Sequence, residues 1–408
     1  MSYLIIGNGP AGVSAIARIR EIDPTGRIIL ISAEDNPPYS RMLTPEYMTG
    51  EVAEEQLYYR GSDFYQKYQV ETRLGAKVTK IIPSDKTVLL ADGEKIAYAR
   101  LLIAAGSRPL VPSWADDTGL KGVFTLWKKQ DSEAINSHLR ETGKAVIIGG
   151  GLVGLQCARA LSTRGIKVTV IEKLPRLMPQ QLDETASALL QQAAEQQGIE
   201  ILLNTEVLSL EREGGRVTGV GTKEGIVPAD LVLVAIGVKP NLEMAWETGL
   251  KMDRGLLTDE RMQTNIPGIY AAGDVVQSTC LLSGQKTVRA LWLCAVRQGK
   301  VAGANMAGVE EYYAGSVALN SIQLFGLSII SQGQLEPLAG QEELAEKILR
   351  YPQSGAYHKF LVQKGKLAGF ILVGDVRQAG IYHHKLGEPL WEGYWGQTPA
   401  WEADEILV

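Results

Sequence analysis

Short apolar runs alternate with alanine-rich stretches along the first 240 residues of the chain. Residues 3–6 and 145–148 are apolar throughout, and each run leads into a glycine-rich turn followed by a helical pattern. Uninterrupted apolar runs of this length are typical of parallel strands that are buried on both faces. The pattern over residues 1–113, and again from residue 143 to about 240, therefore predicts an α/β fold with an internal repeat.

Both turns have the spacing G-x-G-x-x-G. The first turn and the start of its helix comprise Gly7, Gly9, Pro10, Ala11 and Gly12. The second turn and the start of its helix comprise Gly149, Gly151, Leu152, Val153 and Gly154. In such a turn the first glycine allows the tight bend, the second allows close approach to a pyrophosphate, and the third allows the helix to pack on the strand. We therefore predict two Rossmann-like dinucleotide-binding domains.

An acidic residue follows the next apolar run after each turn. It is Glu34 in the first repeat and Glu172 in the second. A carboxylate at this place accepts the hydroxyls of an adenosine ribose and repels a 2′-phosphate. One such motif is weak evidence, but two in the same context indicate that the chain holds two dinucleotides, as a transfer of hydride between them would need.

A third region begins near residue 320 and predicts an α+β domain. Residues 321–330 alternate as one strand, and residues 357–362 and 367–372 form a predicted hairpin around Lys364 and Gly365. A helix is predicted over 376–385. The tail contains Trp391, Tyr394, Trp395 and Trp401, which we interpret as packing or subunit-contact residues.

Composition narrows the function classes. The net charge of −5 without a long basic run argues against nucleic-acid binding. The three cysteines, Cys157, Cys280 and Cys294, form neither a disulfide framework nor an iron–sulfur site, and the four histidines give no metal-ligand spacing. Because the first strand begins by residue 3 and the apolar stretches are interrupted, we expect a cytoplasmic protein without a signal peptide or a membrane span.

Seven segments together resemble a known family, the FAD-dependent pyridine-nucleotide reductases of the glutathione-reductase type. The closest resemblance is to the branch without a redox disulfide, namely ferredoxin and rubredoxin reductases and the NADH-oxidising part of the nitrite reductase large subunit. The resemblance covers nearly the whole chain. Its segments stand in family order and comprise residues 7–12, 38–41, 102–109, 149–154, 177–183, 235–241 and 269–274.

The resemblance implies a domain order and two cofactor sites. The FAD-binding domain would comprise residues 1–113 and 242–319, with the NAD-binding domain inserted at 114–241 and a C-terminal interface domain at 320–408. The implied FAD-binding residues are Gly7, Gly9, Pro10, Ala11, Gly12, Glu34, Arg41, Ala105, Gly106, Gly273 and Asp274, the last on the ribityl chain. The implied NAD-binding residues are Gly149, Gly151, Leu152, Val153, Gly154, Glu172, Ile236 and Gly237.

No residue is assigned a certain catalytic role, but four are candidates for lining the flavin. They are Arg41, Pro45, Gln156 and Trp292. Trp292 would begin a helix whose positive end faces the flavin pyrimidine ring. Pro45 and Gln156 stand where many ferredoxin reductases carry an ion-paired lysine and glutamate, so the electrostatics at the flavin should differ from those enzymes.

A second difference from related reductases concerns the route by which electrons leave the flavin. No cysteine precedes Cys157, and Ser40 stands where single-cysteine peroxidases carry their thiol. We therefore expect reduced FAD to pass electrons directly to a small iron–sulfur carrier or a partner redox subunit. An NADH oxidase or diaphorase using O₂ or quinone, and a redox-sensing or assembly protein that binds FAD and NADH, are the alternatives. Whether the chain forms a homo-oligomer stays open.

The preferred nucleotide is predicted from the acidic residue of the second repeat. Glu172 favours NADH over NADPH, while Lys173 and Arg176 just downstream could offset this preference. The sequence therefore predicts discrimination against NADPH that is real but not absolute.

Overall fold

In a computed structural model the chain forms two compact units. The structure describes residues 1–116, 119–336, 345–389 and 404–407. Unit 1 comprises Met1–Arg41, Ala53–Arg108 and Val238–Ser316, and unit 2 comprises Met42–Val52, Pro109–Gly237 and Val317–Val408. The predicted boundaries of the FAD, NAD and C-terminal domains stay a prediction. Trp391, Tyr394, Trp395 and Trp401 lie outside the described residues.

The α-helices are numbered here in chain order. Within the described ranges they are α1 (Pro10–Ile22), α2 (Thr44–Thr49), α3 (Glu54–Leu57), α4 (Phe64–Lys67), α5 (Lys129–His138), α6 (Leu152–Thr163), α7 (Glu184–Gln196), α8 (Trp292–Met306) and α9 (Ala379–Lys385). None of these helices is long and apolar enough to cross a membrane.

Unit 1 is built on a five-stranded parallel sheet. Its strands, in spatial order, are Ile269–Ala271, Arg100–Ile103, Ser2–Ile6, Arg27–Ser32 and Val70–Leu74. The central strand is apolar because both of its faces are covered, and Leu4 and Ile5 are fully buried. Smaller sheets of this unit are Val78–Ile82 with Thr87–Leu90 and Lys95–Ala97, and Leu256–Leu257 with Val276–Thr279 and Lys286–Val288. The short strand Val238–Pro240 pairs with Ser107–Pro109.

Unit 2 repeats this plan and adds a second sheet. Its parallel sheet runs in the order Glu200–Leu202, Lys167–Ile171, Lys144–Ile148, Leu231–Val234 and Val123–Thr125. An antiparallel sheet follows it, made of Val207–Glu213, Arg216–Thr222 and Gly225–Pro228. The predicted α/β class with two Rossmann-like units is confirmed, since each glycine turn follows the central strand of a parallel sheet.

The C-terminal part of unit 2 is a six-stranded sheet, here called the C-terminal sheet. Its order is Leu319–Leu324, Leu327–Gly333, Lys366–Val373, Ala356–Gln363, Ala345–Tyr351 and Asp404–Leu407. The hairpin predicted around Lys364 and Gly365 is confirmed, and the predicted helix is observed as α9.

The single strand predicted over residues 321–330 is wrong. The segment is a hairpin in which Leu324 pairs with Leu327, and Phe325 and Gly326 form the turn with φ values of 51° and 83°. Glycine adopts positive φ without strain, which favours the two-residue turn that a right-twisted hairpin requires.

Candidate functional site

The first glycine turn has two glycines held by packing and one that faces open space. Gly7 has a φ of 114°, and a Cβ there would lie 2.0 Å from the carbonyl oxygen of Ala104. A Cβ on Gly12 would lie 2.0 Å from the oxygen of Gly7, whereas one on Gly9 would meet no atom within 4 Å. The fold therefore explains Gly7 and Gly12, while a ligand approaching the backbone would explain Gly9.

The second turn repeats this geometry in unit 2. Gly149 has a φ of 112°, and its Cβ would lie 2.4 Å from the oxygen of Ala235. A Cβ on Gly154 would lie 2.1 Å from the oxygen of Gly149, and one on Gly151 would again meet nothing within 4 Å. The two glycine turns differ in most of their other residues, yet both form the same open backbone cradle.

A helix begins directly after each cradle. Gly9 and Gly151 are the N-caps of α1 and α6, and neither offers a side chain to the first backbone N–H groups. Those N–H groups and the positive end of the helix dipole remain available to an anion. Pro10 and Ala11 open α1, and Leu152 and Val153 open α6.

The first acidic candidate, Glu34, lies in a small polar cluster in unit 1. The Tyr39 hydroxyl donates to Glu34 at 2.6 Å, and the Arg41 guanidinium donates to the other carboxylate oxygen. Arg41 also lies over the Tyr39 ring at 5.4 Å. The structure therefore places Arg41 beside the proposed ribose acceptor.

Three buried polar atoms near the first turn have no protein partner. Asn8 donates to the oxygens of Asn36 and Tyr65 at 3.0 and 2.8 Å, yet its own Oδ1 is unpaired. The Asn36 Nδ2 and the Tyr59 hydroxyl are likewise buried without a partner. An unpaired buried polar group costs about 1–3 kcal/mol. A ligand rich in hydroxyl and amide groups would remove that cost, so these residues fit FAD.

Asp274 lies at the end of the segment that returns to the unit 1 sheet. The Ser107 hydroxyl donates to its carboxylate at 2.7 Å, and the preceding Gly273 donates its N–H to the side chain of Gln298 at 2.8 Å. Burial raises the pKa of Asp274, and the Ser107 hydrogen bond and the Arg41 charge oppose that rise only in part. A buried carboxylate with one hydroxyl partner has spare capacity to accept a ligand hydroxyl.

Ala105 and Gly106 lie close to Asp274 in the same unit, since Ser107 follows them directly. Asn241 fixes this corner, because its side chain donates to the Ala105 oxygen at 2.8 Å and its backbone N–H donates to the Gly106 oxygen at 3.0 Å. Gly106 has a φ of 66° and open space where a Cβ would lie.

Helix α8 is placed against α1 by two glycines. A Cβ on Gly299 would lie 2.1 Å from the Ala11 oxygen, and one on Gly303 would lie 2.7 Å from the Ala15 oxygen. Trp292 begins α8 and makes an edge contact with the Tyr59 ring at 4.7 Å. Arg41 and Trp292 thus belong to unit 1, together with the first turn.

The second acidic candidate, Glu172, is hydrogen-bonded to the backbone of the second glycine turn. It accepts the Gly150 N–H at 2.7 Å and the Leu174 N–H at 2.8 Å. The basic pair downstream is engaged by acids of unit 2: Lys173 lies 2.6 Å from Glu206 and Arg176 lies 2.7 Å from Glu336. Both cations therefore have carboxylate partners.

The remaining candidates of unit 2 lie on three elements. Pro45 is buried in α2 and Gln156 is half-buried in α6. An ion-pair network joins these two helices, because Arg159 binds Glu46 at 3.0 Å and Glu51 at 3.1 Å. The last two candidates, Ile236 and Gly237, follow the strand Leu231–Val234 and are exposed.

Sequence reasoning missed several residues that shape these sites. They are Asn8, Tyr39, Tyr59, Ser107 and Asn241. Four of them lie within the matched segments or beside a candidate, so proximity in sequence was a usable signal. Tyr59 carried no such signal.

Comparison with known proteins gives two family matches. Residues 1–299 match the family described as pyridine nucleotide-disulphide oxidoreductase, and residues 319–386 match the rubredoxin NAD⁺ reductase C-terminal domain.

Two similar curated proteins differ in length. The assimilatory nitrate reductase electron transfer subunit of Bacillus subtilis is 32% identical over 92% of this chain, which spans 48% of that protein. The NADH-rubredoxin oxidoreductase of Clostridium acetobutylicum is 30% identical over 91% of each chain. The chain thus spans about half the length of the first of these relatives and most of the second.

Solved structures agree in fold. An NAD-dependent persulfide reductase from A. fulgidus superposes with a TM-score of 0.87 at 29% identity, covering 95% of this chain and 77% of that one. A ferredoxin reductase from Rhodopseudomonas palustris superposes with a TM-score of 0.86 at 26% identity, covering 95% of each chain.

Proposed function

Because the chain belongs to the pyridine nucleotide-disulphide oxidoreductase family, we propose that it oxidises NADH, passes the electrons to bound FAD and delivers them to a small redox protein or a partner subunit. The observation that carries the proposal is the pair of glycine turns with equal backbone shape and an open middle glycine. A chain that holds two dinucleotides has what a transfer of reducing equivalents between them requires.

FAD is the proposed occupant of the first turn. When bound, it accepts a hydride and can release electrons one at a time. The backbone at Gly9 and the free N–H groups of α1 would bind its pyrophosphate, and Glu34 would accept hydroxyls of its ribose. Asp274 would accept a ribityl hydroxyl, and the unpaired atoms of Asn8 and Tyr59 would gain partners.

NADH is the proposed substrate at the second turn. Gly151 and the N-terminus of α6 would bind its pyrophosphate, and Glu172 would accept the adenosine ribose hydroxyls. The ion pairs of Lys173 with Glu206 and of Arg176 with Glu336 support a preference for NADH, since neither cation is left for a 2′-phosphate without breaking a pair.

A protein acceptor is the proposed outlet for electrons. The first 156 residues contain no cysteine, and Cys280 and Cys294 of unit 1 are free thiols that are 9% and 6% exposed. A thiol relay beside the first turn therefore has no support. Free thiols are also what a reducing cytoplasm maintains, and we propose that compartment.

The docking face proposed for the acceptor is the start of α8. Leu293 is 63% exposed, and Arg297 and Lys300 follow it on the exposed side of the helix. Positions four and seven residues further along lie on the same helix face as Leu293. Trp292 and Leu293 would form an aromatic and aliphatic contact surface, and Arg297 and Lys300 would border it with positive charge. This arrangement favours a partner with an acidic surface.

Stopped-flow kinetics tests the proposal. The protein is reduced with NADH without oxygen and mixed with rubredoxin, ferredoxin, cystine or peroxide, alongside a variant with Cys157, Cys280 and Cys294 replaced by alanine. We expect an iron–sulfur protein to be reduced at least about tenfold faster than cystine or peroxide, equally in both proteins.

Three results would contradict this outlet. Fast turnover with cystine or peroxide in the cysteine-free variant would show that electrons leave the flavin by a different route. Faster turnover with O₂ or a quinone than with any protein would make the chain an NADH oxidase or diaphorase. Binding of both nucleotides without turnover would favour the redox-sensing role.

A further inference from the structure

The segment that joins Glu172 to α7 is packed on the second glycine turn. The Gly150 N–H donates to Glu172 at 2.7 Å, and the Met178 N–H donates back to the Gly150 oxygen at 2.9 Å. Leu177 is fully buried, and a Cβ on Gly150 would lie 2.7 Å from its Cδ2. Residues 172–183, here called the ribose segment, therefore form one packed piece with the turn.

The far end of the ribose segment is held by the C-terminal sheet of the same unit. Asp183 caps α7 by accepting the Ala186 N–H at 2.9 Å, and its second oxygen accepts the Tyr357 hydroxyl at 2.6 Å. The Lys359 ammonium lies 3.3 Å from Asp183 and 2.7 Å from Glu346. Tyr357 is 2% and Lys359 is 8% exposed, so the contacts are shielded from water.

Arg176 ties the middle of the segment to both ends. It donates to the backbone oxygens of Leu182 and Pro179, each at 3.2 Å, and pairs with Glu336. Its guanidinium is therefore used to close the loop. The ribose segment has anchors at the turn, within itself and on the C-terminal sheet.

We propose that the C-terminal sheet sets the affinity and the selectivity of the dinucleotide site, with Tyr357 acting through Asp183 as a positioning residue for the segment that carries Glu172. The inference rests on the proposed function in naming NADH as the ligand. It gives the C-terminal part of the chain a role in substrate choice, in addition to any contact with a partner.

The physical reason is the cost of ordering the segment. With the Tyr357 hydroxyl present, the segment is already fixed when the nucleotide arrives. Without it, Asp183 loses a short hydrogen bond to its charged form, and part of the binding energy is spent on ordering the segment. Because Glu172 is at its start, the ribose contact and the exclusion of a 2′-phosphate should both weaken.

The test compares Tyr357→Phe with a matched control. Tyr382→Phe also removes the hydroxyl of a buried tyrosine in the C-terminal part of the chain, one that donates to Gln378 at the N-cap of its own helix. Titration calorimetry uses protein whose bound FAD has been reduced with dithionite and desalted without oxygen. Because reduced FAD cannot accept a further hydride, titration with NADH and with NADPH then reads binding without turnover. Thermal melting and KM against kcat with ferricyanide complete the comparison.

For Tyr357→Phe we expect the Kd and KM for NADH to rise about 3- to 10-fold, the ratio of NADPH to NADH Kd to fall, and kcat to stay within about twofold. Tyr382→Phe should change none of these. Asp183→Asn keeps a helix cap and weakens the acceptor, so it should reproduce the loss of affinity and serves as the test if Tyr357→Phe does not fold.

The inference is overturned by an unchanged NADH Kd in the folded variant, or by a lower melting temperature with an unchanged ratio of the two Kd values. An equal loss in Tyr382→Phe also overturns it. Failure of the unmodified protein to bind NADH would instead contradict the proposed function.

Discussion

Replacing Asp274 with asparagine should have opposite effects on FAD binding and on the stability of the FAD-free protein. The substitution keeps the shape of the side chain and removes its charge. A hydrogen bond to a charged group contributes about 1.5–3 kcal/mol. The asparagine amide oxygen still accepts a hydrogen bond, so the loss is the difference between a charged and a neutral acceptor, about 1–1.5 kcal/mol. Since Asp274 has one side-chain donor, Ser107 at 2.7 Å, this loss at the ligand hydroxyl should weaken FAD binding about 5- to 13-fold.

The stability of the FAD-free protein follows from the pKa of Asp274, which burial raises. A carboxyl whose pKa rises on folding binds its proton more tightly in the folded chain. Its contribution to stability is therefore present below the unfolded pKa, about 3.9, and is lost as the pH rises through the higher folded value. At neutral pH the charged form destabilises the fold, so FAD-free Asp274→Asn should melt above the unmodified protein. The difference should vanish in acid.

Asp23 of the same unit provides the matched control. The Tyr3 hydroxyl donates to it at 2.8 Å, and this hydrogen bond, against the effect of burial, holds the pKa of Asp23 below its usual range. Its contribution to stability is present above the unfolded pKa and is lost as the pH falls through the folded value. Asp23→Asn should therefore lower the melting temperature at neutral pH and leave FAD affinity unchanged.

The assay is FAD titration of the stripped proteins by fluorescence, with melting curves from about pH 3 to 8 for each variant. The reasoning is refuted if Asp274→Asn binds FAD as tightly as the unmodified protein, or if it melts lower without FAD at neutral pH. Equal behaviour of the two variants would also refute it, because the two carboxyl groups have opposite pKa shifts.

Further substitutions test the two turns and the nucleotide preference. Gly149→Ala should lower the melting temperature, since its Cβ would lie 2.4 Å from a carbonyl oxygen. Gly151→Ala should melt like the unmodified protein and bind NADH at least about tenfold more weakly, and equal melting temperatures of the two variants would contradict this. The purified protein should be yellow with one FAD per chain, and a colourless preparation that takes up no FAD would exclude FAD as its cofactor. Glu172→Gln should lower the ratio of kcat/KM for NADH over NADPH by about tenfold, and an unchanged ratio would show that other residues govern the preference.

The parallel sheets and the turn positions could be predicted because short-range rules determine them. Four apolar residues before a glycine turn require a strand buried on both faces, and Ser2–Ile6 and Lys144–Ile148 are the central strands that result. The spacing of the glycines is also local. The structure adds that Gly7 and Gly12 are required by packing, whereas Gly9 is not, a distinction that the sequence spacing does not contain.

The hairpin at Phe325 and Gly326 could not be recognised from alternation alone. Each strand has a period of two, but the alternation shifts by one position at the turn, because the paired residues Leu324 and Leu327 are three apart in sequence and face the same side. The apolar Phe325 between them hides this shift, which leaves the glycine as the local signal. A large aromatic residue with a φ of 51° beside it is uncommon, and that masks the turn.

The contacts that position the ribose segment are the least predictable from sequence. Tyr357 and Asp183 are 174 residues apart, and each has an ordinary local role, one in a strand and the other as a helix cap. Only the fold of unit 2 brings the hydroxyl to the carboxylate. The ion pair of Arg176 with Glu336 is a second contact that only the fold of unit 2 creates. From the sequence alone, Arg176 could be expected to bind a phosphate. Because Glu336 of the C-terminal part of unit 2 already pairs with Arg176, a basic residue near the acidic one is weaker evidence for NADPH than its place in the sequence suggests.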